Sequence, residues 1–183
     1  MRLFVAVEIS DDIKNYLGKI QEEFIDNHSN KIGLVNVNNI HLTLKFLGEV
    51  QPNNVEIVKK DLKKITFNKF SVYLDKIGVF PSENCIRVVW VGLKPEDPIL
   101  GLQKDIDDRL KKLFKKEKNF KAHITLARVK FIEDKKQFIN ELKKIKVENK
   151  NIKVDSFKLV KSSLTGQGPI YEDIDIFSGD TPE

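Results

Sequence analysis

His41-Leu42-Thr43-Leu44 recurs as His123-Ile124-Thr125-Leu126, 82 positions later, inside a second run of branched residues. Both tetrads sit in segments that read as strands, IHLTLKFL (40–47) and FKAHITLARVKF (120–131). Side chains along a strand alternate between two faces. His41 and Thr43 therefore share one face and Leu42 and Leu44 the other. His123 and Thr125 likewise stand opposite Ile124 and Leu126. The Leu/Ile faces belong in a core, so each His/Thr face must look onto solvent, a cleft or a ligand.

The flanking segments repeat as well. RLFVAVEI (2–9) reads as a buried strand. Ser10 caps an amphipathic helix with Ile13, Leu17, Ile20 and Phe24 on one face, ending near 27–30. A strand is expected at 33–37. Pro52 opens a helix carrying Val55, Val58, Leu62 and Ile65. Strands at 70–80 and 85–93 flank a turn at Pro81-Ser82-Glu83-Asn84. A helix follows from Pro98 to Phe114 with Ile99, Leu102, Ile106, Leu110 and Leu113 inward. A helix at 134–145 precedes strands at 152–161 and 170–177, with a turn-rich stretch from Ser162 to Pro169 between them. A strand–helix–strand–helix–strand unit used twice accounts for this order. No Pro/Gly/Ser-rich linker divides it, so residues 1–183 read as one compact unit of two pseudo-symmetric lobes.

With 40% apolar residues the chain can fill a core of its own. Its lone cysteine, Cys85, excludes an internal disulfide and a cysteine-built zinc site. The opening MRLFVAVEIS has too short an apolar run for a secretory signal, and no stretch approaches ~18 apolar residues, so we expect a cytoplasmic protein with no membrane span. A net charge of +5 suits an anionic partner without requiring one.

Two histidines on one cleft suit acid–base chemistry near neutral pH, one neutral and accepting a proton, the other charged and donating one. The threonine hydroxyls add donors to an anion held between them. Displacement at phosphorus asks for positioning, charge stabilisation, a base and an acid. A zinc site needs three or more ligands, which two histidines without patterned cysteines or carboxylates do not supply. His28, in the polar loop 26–30, reads as a solvated helix end.

These residues resemble the 2H phosphoesterases, and within them the RNA 2′,3′-cyclic phosphodiesterases, also called 2′-5′ RNA ligases. The resemblance runs through MRLFVAVEI, HLTLKFLGEV (41–50), GVFPS (78–82), IRVVWVGL (86–93), FKAHITLARVK (120–130) and SSLTGQGPIYE (162–172). It implies an α+β, bilobal, duplicated fold, with two antiparallel-rich sheets lining a central cleft and helices on the outer faces. It implies hydrolysis of RNA 2′,3′-cyclic phosphate ends to 2′-phosphates, without metal or cofactor. By motif position His41 is implied as the proton donor, His123 as the proton acceptor, and Thr43 and Thr125 as the phosphate-binding pair. The implied partners are RNA ends, tRNA fragments among them, or small cyclic nucleotides; a monomer is expected. Two alternatives stay open: 2′-5′ ligation of tRNA halves by reversal of the same step, and a non-catalytic module that binds RNA ends. No P-loop is present, so no ATP use is expected.

Other RNA contacts are candidates only. Arg128, five residues after His123, falls on the opposite face of a regular strand; a bulge would turn it to the cleft, and a surface salt bridge is its alternative role. Lys45 and Lys130 are candidates for a basic rim, against simple solvated charge. Tyr171 borders the cleft in this reading. Phe46 and Phe80 either stack on a base or belong to the core.

Overall fold

The computed structural model describes residues 1–25 and 30–180. His28 lies outside them. Among the described residues nine strands and four helices follow in this order: β1 (Arg2–Glu8), α1 (Asp11–Glu22), β2 (Lys31–Leu34), β3 (His41–Glu49), α2 (Pro52–Leu62), β4 (Phe70–Ser82), β5 (Cys85–Lys94), α3 (Asp97–Leu110), β6 (His123–Phe131), α4 (Lys135–Lys144), β7 (Asn151–Val154), β8 (Ser156–Thr165) and β9 (Gly168–Ser178). The α+β reading, with antiparallel strands and packed helices, describes this fold. The two expected sheets are joined, however. One curled sheet runs β7-β4-β5-β6-β3-β1-β8-β9, with β2 also on β6. The junction is the single pair Leu42–Ile124 between β3 and β6.

Outward from that junction the order is β3-β1-β8-β9 on one side and β6-β5-β4-β7 on the other. One lobe thus has four strands and the other, with β2 on β6, five, but they are not the two halves of the sequence. β4 crosses to the second lobe, and β8 and β9 return to the first. One strand face and the apolar stripes of the four helices merge into a core that includes Leu3, Val5, Val7, Leu42, Leu44, Ile124, Leu126, Leu17, Val58, Ile106 and Phe138. On the other face of β1, Phe4 and Ala6 form a small second cluster with Val160, against which Tyr171 packs.

Several boundaries differ from the expectation. Helix α1 stops at Glu22 instead of near 27–30, closing where Glu23 N–H and Phe24 N–H donate to Ile20 and Gln21 carbonyls. Strand β2 ends at Leu34, and Val37 begins a 3-10 turn in which the Asn36 side chain accepts from Asn38 N–H. Leu113 lies past the end of α3 and is exposed. The expected strand 152–161 is two strands in different lobes: β7 pairs with β4, and after Asp155 β8 pairs with β1. Residues 162–165 are strand, not turn; the turn is Gly166-Gln167, closed by the Thr165 hydroxyl donating to Gly168 O at 2.6 Å. Pro81-Ser82 also continue β4, leaving Glu83-Asn84 as the turn. Among the described residues no strand pairs with the far edge of β4 beyond Tyr73, so the missing N–H of Pro81 breaks no ladder there.

Candidate active site

Strands β3 and β6 carry the same sequence of buried and exposed positions along all nine residues. Each also bulges at the same place. β1 pairs Ala6 with Thr43 and Val5 with Lys45, skipping Leu44. β5 pairs Trp90 with Thr125 and Val89 with Ala127, skipping Leu126. An extra residue reverses the face of all that follow. His41, Thr43 and Phe46 therefore share the cleft face of β3, and His123, Thr125 and Arg128 that of β6.

This corrects one expectation and resolves another. Lys45 is not on a basic rim: it is 3% exposed on the core face. Its ammonium donates to Asp107 of α3 and to Lys115 O at 2.8 Å. Asp107 also accepts from the Gln103 amide (3.0 Å) and Glu117 N–H (2.9 Å). Burial pushes the Asp107 carboxyl up, but these donors outweigh it and hold it below its usual range. Arg128, by contrast, is turned to the cleft and lines it. No carboxylate lies within 4 Å of it among the described residues, so the surface salt bridge does not form.

Antiparallel pairing of Leu42 with Ile124 sets His41 opposite Thr125 and Thr43 opposite His123. The cavities follow this crossed arrangement. One, of about 540 Å³, is lined by His41, Thr43, Phe46, Thr125, Arg128 and Tyr171, with the β8–β9 turn as its far wall. The other, of about 480 Å³, is lined by His123, Thr43, Phe46, Phe80, Asn119 and Phe120. Thr43 and Phe46 belong to both.

The two imidazoles are held alike. His41 Nδ1 lies 2.7 Å from Asn39 O, and His123 Nδ1 2.7 Å from Lys121 O. A carbonyl only accepts, so in each ring the proton sits on Nδ1 and the neutral ring keeps a lone pair on Nε2. Aromatic rings fix the ring planes. Phe4 (4.9 Å between centroids) and Tyr171 (5.4 Å) pack on His41; Phe80 (4.9 Å) and Trp90 (6.3 Å) pack on His123. Tyr171 thus borders the cleft as expected. A side chain at Gly78 would collide with the Trp90 ring, so glycine there admits the indole.

Burial lowers both imidazoles from the ordinary 6.5, against the raising effect of each carbonyl hydrogen bond. For His41 the cations Lys14 and Arg128, and a charge on His123, lower it further. Mutual repulsion favours one proton shared by the pair over two. Among the described residues no three His, Cys, Asp or Glu side chains converge on a point. The sequence reading did not single out Phe4 or Trp90; alternation along β1 and β5 would have put both on the cleft face. The carbonyls of Asn39 and Lys121 leave no signal in sequence.

Comparison with known proteins matches this chain to one family. The model of the LigT-like phosphoesterases matches twice, over residues 7–90 and 91–171. The chain is 41% identical to the RNA 2′,3′-cyclic phosphodiesterase of Methanocaldococcus jannaschii, over 94% of this chain and 97% of that one. It is 36% identical to the protein of the same name from Archaeoglobus fulgidus, over 97% and 99%. Among solved structures, TT0787 of Thermus thermophilus superposes with a TM-score of 0.79 at 27% identity, covering 97% of each chain. The apo form of E. coli LigT shares the fold at 22% identity, with a TM-score of 0.77, over 99% of this chain and 98% of that one.

Proposed function

Because the chain belongs to the LigT-like phosphoesterase family, we propose that it hydrolyses RNA 2′,3′-cyclic phosphate ends to 2′-phosphates, with His123 as base and His41 as acid. The observation that carries this reading is the crossed pair of imidazoles. Each is locked by a backbone carbonyl so that Nε2 is its free nitrogen, and each stands across from the other motif's threonine.

The cyclic phosphate lies over Thr43 and Thr125, whose hydroxyls donate to its non-bridging oxygens. His123 Nε2 takes a proton from water as the water oxygen bonds to phosphorus. The P–O3′ bond breaks, and His41 Nε2–H protonates O3′. The products are a 2′-phosphate and a free 3′-hydroxyl, and the two rings have exchanged protonation states. Arg128 adds positive charge beside the phosphate, while Phe46 and Tyr171 border the terminal nucleoside. No step calls on a metal, so turnover is expected to survive EDTA.

The test is product analysis with an RNA ending in a 2′,3′-cyclic phosphate. We expect 2′-phosphate, and a loss of about 10²–10⁴-fold in kcat in His41→Ala and in His123→Ala, with both variants folded. Wild-type activity in either variant would sink the assignment. The second cavity favours one further reaction: a 5′-hydroxyl RNA end seated beside His123 attacks the cyclic phosphate in place of water, His123 takes its proton, the P–O3′ bond breaks with His41 protonating O3′, and a 2′-5′ bond forms. Joined tRNA halves in the same assay would report it. Binding without turnover at any pH would leave only an RNA-end-binding module.

A further inference from the structure

The face that carries Arg128 does not stop at the cavity wall. In the β2–β6 ladder Gly33 pairs with Arg128 and Lys31 with Phe131. Opposed residues of an antiparallel ladder share a face. On β2, Lys31 and Gly33 alternate with Ile32, which packs on the core. Lys31 and Phe131 therefore stand on the same face as Arg128. The register shift between Lys31 and Ile32 leaves Lys130 as the extra residue of β6, exposed to solvent. The Arg87 guanidinium donates to Lys130 O at 3.3 Å, which brings a further cation to the spot. Phe131, in their midst, is 50% exposed.

None of Lys31, Arg87, Arg128 and Lys130 has a carboxylate within 4 Å among the described residues. The acids nearest Lys130 along the chain are Glu133 and Asp134, and Asp134 caps α4 through Gln137 N–H; Glu83, nearest Arg87, pairs with Lys143. The other side of the cleft is different. There the cavity is walled by the uncharged Thr165, Gln167, Pro169 and Ile170. Beyond them β9 carries Glu172, Asp173 and Asp175, each paired with a lysine. A polyanion leaving the cleft meets unpaired cations on one side and an uncharged wall backed by ion pairs on the other. Unpaired cations around a half-exposed aromatic ring suit single-stranded nucleic acid, whose phosphates take the charge and whose bases stack.

We propose that Lys31, Arg87, Lys130 and Phe131 form a subsite for the nucleotides upstream of the reacting end, so that single-stranded RNA leaves the cleft past Arg128. One base stacks on Phe131, and neighbouring phosphates contact Lys31, Arg87 and Lys130. The subsite rests on the reading of the cleft as an RNA-end site, and it makes the enzyme prefer oligonucleotides to cyclic mononucleotides.

The experiment compares kcat/KM for adenosine 2′,3′-cyclic phosphate with that for an oligoadenylate of about six residues, within the usual span of a single-strand site, ending in the same group. The full-length protein is used, together with Lys31→Gln/Arg87→Gln/Lys130→Gln and with Phe131→Ser. We expect the preference for the oligonucleotide to fall at least tenfold in the triple variant and roughly tenfold in Phe131→Ser, with mononucleotide turnover unchanged. Binding of a 5′-labelled oligoadenylate, followed by anisotropy, should lose about 2 from its log–log salt slope in the triple variant, at about 0.7 per lost phosphate contact. An unchanged preference and slope overturn the subsite, as does an equal fall for both substrates. If the wild type turns over neither substrate, the reading of the cleft fails, and the anisotropy slopes still decide the subsite.

Discussion

At the scale of residues, the two histidines differ in their surroundings more than in their geometry. Both donate Nδ1–H to the carbonyl two positions earlier, and burial lowers both, but Lys14 and Arg128 act on His41 alone. The sign for the rate follows from the roles. A base must be neutral, so activity rises with pH as His123 loses its proton; an acid must be charged, so activity falls as His41 loses its own. The profile of kcat/KM reports the free enzyme. With both imidazoles lowered from 6.5, its two limbs should lie on the acid side of that value. A bound phosphate favours the imidazolium, so the falling limb of kcat should lie at higher pH than that of kcat/KM. Coincident limbs in both profiles would contradict this account. The residue scale is also where the sequence read most clearly. Period-two alternation put His41 with Thr43 and His123 with Thr125, and the structure keeps them together. Alternation failed just beyond each threonine, because a bulge depends on the partner strand and not on the residues that form it.

At the scale of elements, that bulge places a charge inside the protein. It turns Lys45 onto the core face of β3, where Asp107 on α3 meets it, and the pair reaches Lys115 O and Glu117 N–H in the segment leading to β6. The equivalent position on β6 is Ala127, fully buried and neutral. Lys45→Met leaves Asp107 without its main partner and should cost about 3–5 kcal/mol in urea unfolding at pH 7. Lys45→Met/Asp107→Leu removes both charges and should recover most of that loss. A double variant no more stable than the single one would show that the pair stabilises through more than charge compensation. The pH dependence has a definite sign. A lowered carboxyl contributes stability in full above its unfolded value of about 3.8, and loses it as pH falls through the folded value. The double variant should therefore lack this part of the wild type's acid sensitivity. Elements were legible in sequence as to type; their ends were less so. Residues 162–165 looked like a turn because Ser162, Ser163 and Thr165 favour turns, yet they extend the β8–β9 ribbon, where backbone pairing outweighs propensity.

At the scale of the whole molecule, the duplication and the lobes divide the chain differently. The family model repeats at 7–90 and 91–171, yet β4 and β5 pair with each other and with β6 and β7 across that boundary, and β8 pairs with β1. Neither half holds a complete lobe. Fragments 1–90 and 91–183 should therefore each lack the dispersed amide spectrum of a packed protein when expressed alone, and mixing them should restore it if the lobes can form between chains. A well-dispersed spectrum from either half alone would show that a lobe needs fewer strands than it has here.

By itself the sequence determined the repeated His-x-Thr strands, the pairing of each His with its own Thr on one face, and the alternation of apolar strands and helices that makes an α+β core. Each of these follows from spacing within one segment, where a period of two or 3.6 fixes the face. Only the tertiary structure decided that Lys45 is buried and Arg128 is in the cleft, that each histidine stands across from the other motif's threonine, and that 151–165 serves two lobes in turn. Those outcomes depend on which strands pair and in what register, and register is set by contacts between segments at opposite ends of the sequence, such as Arg2 with Ser162.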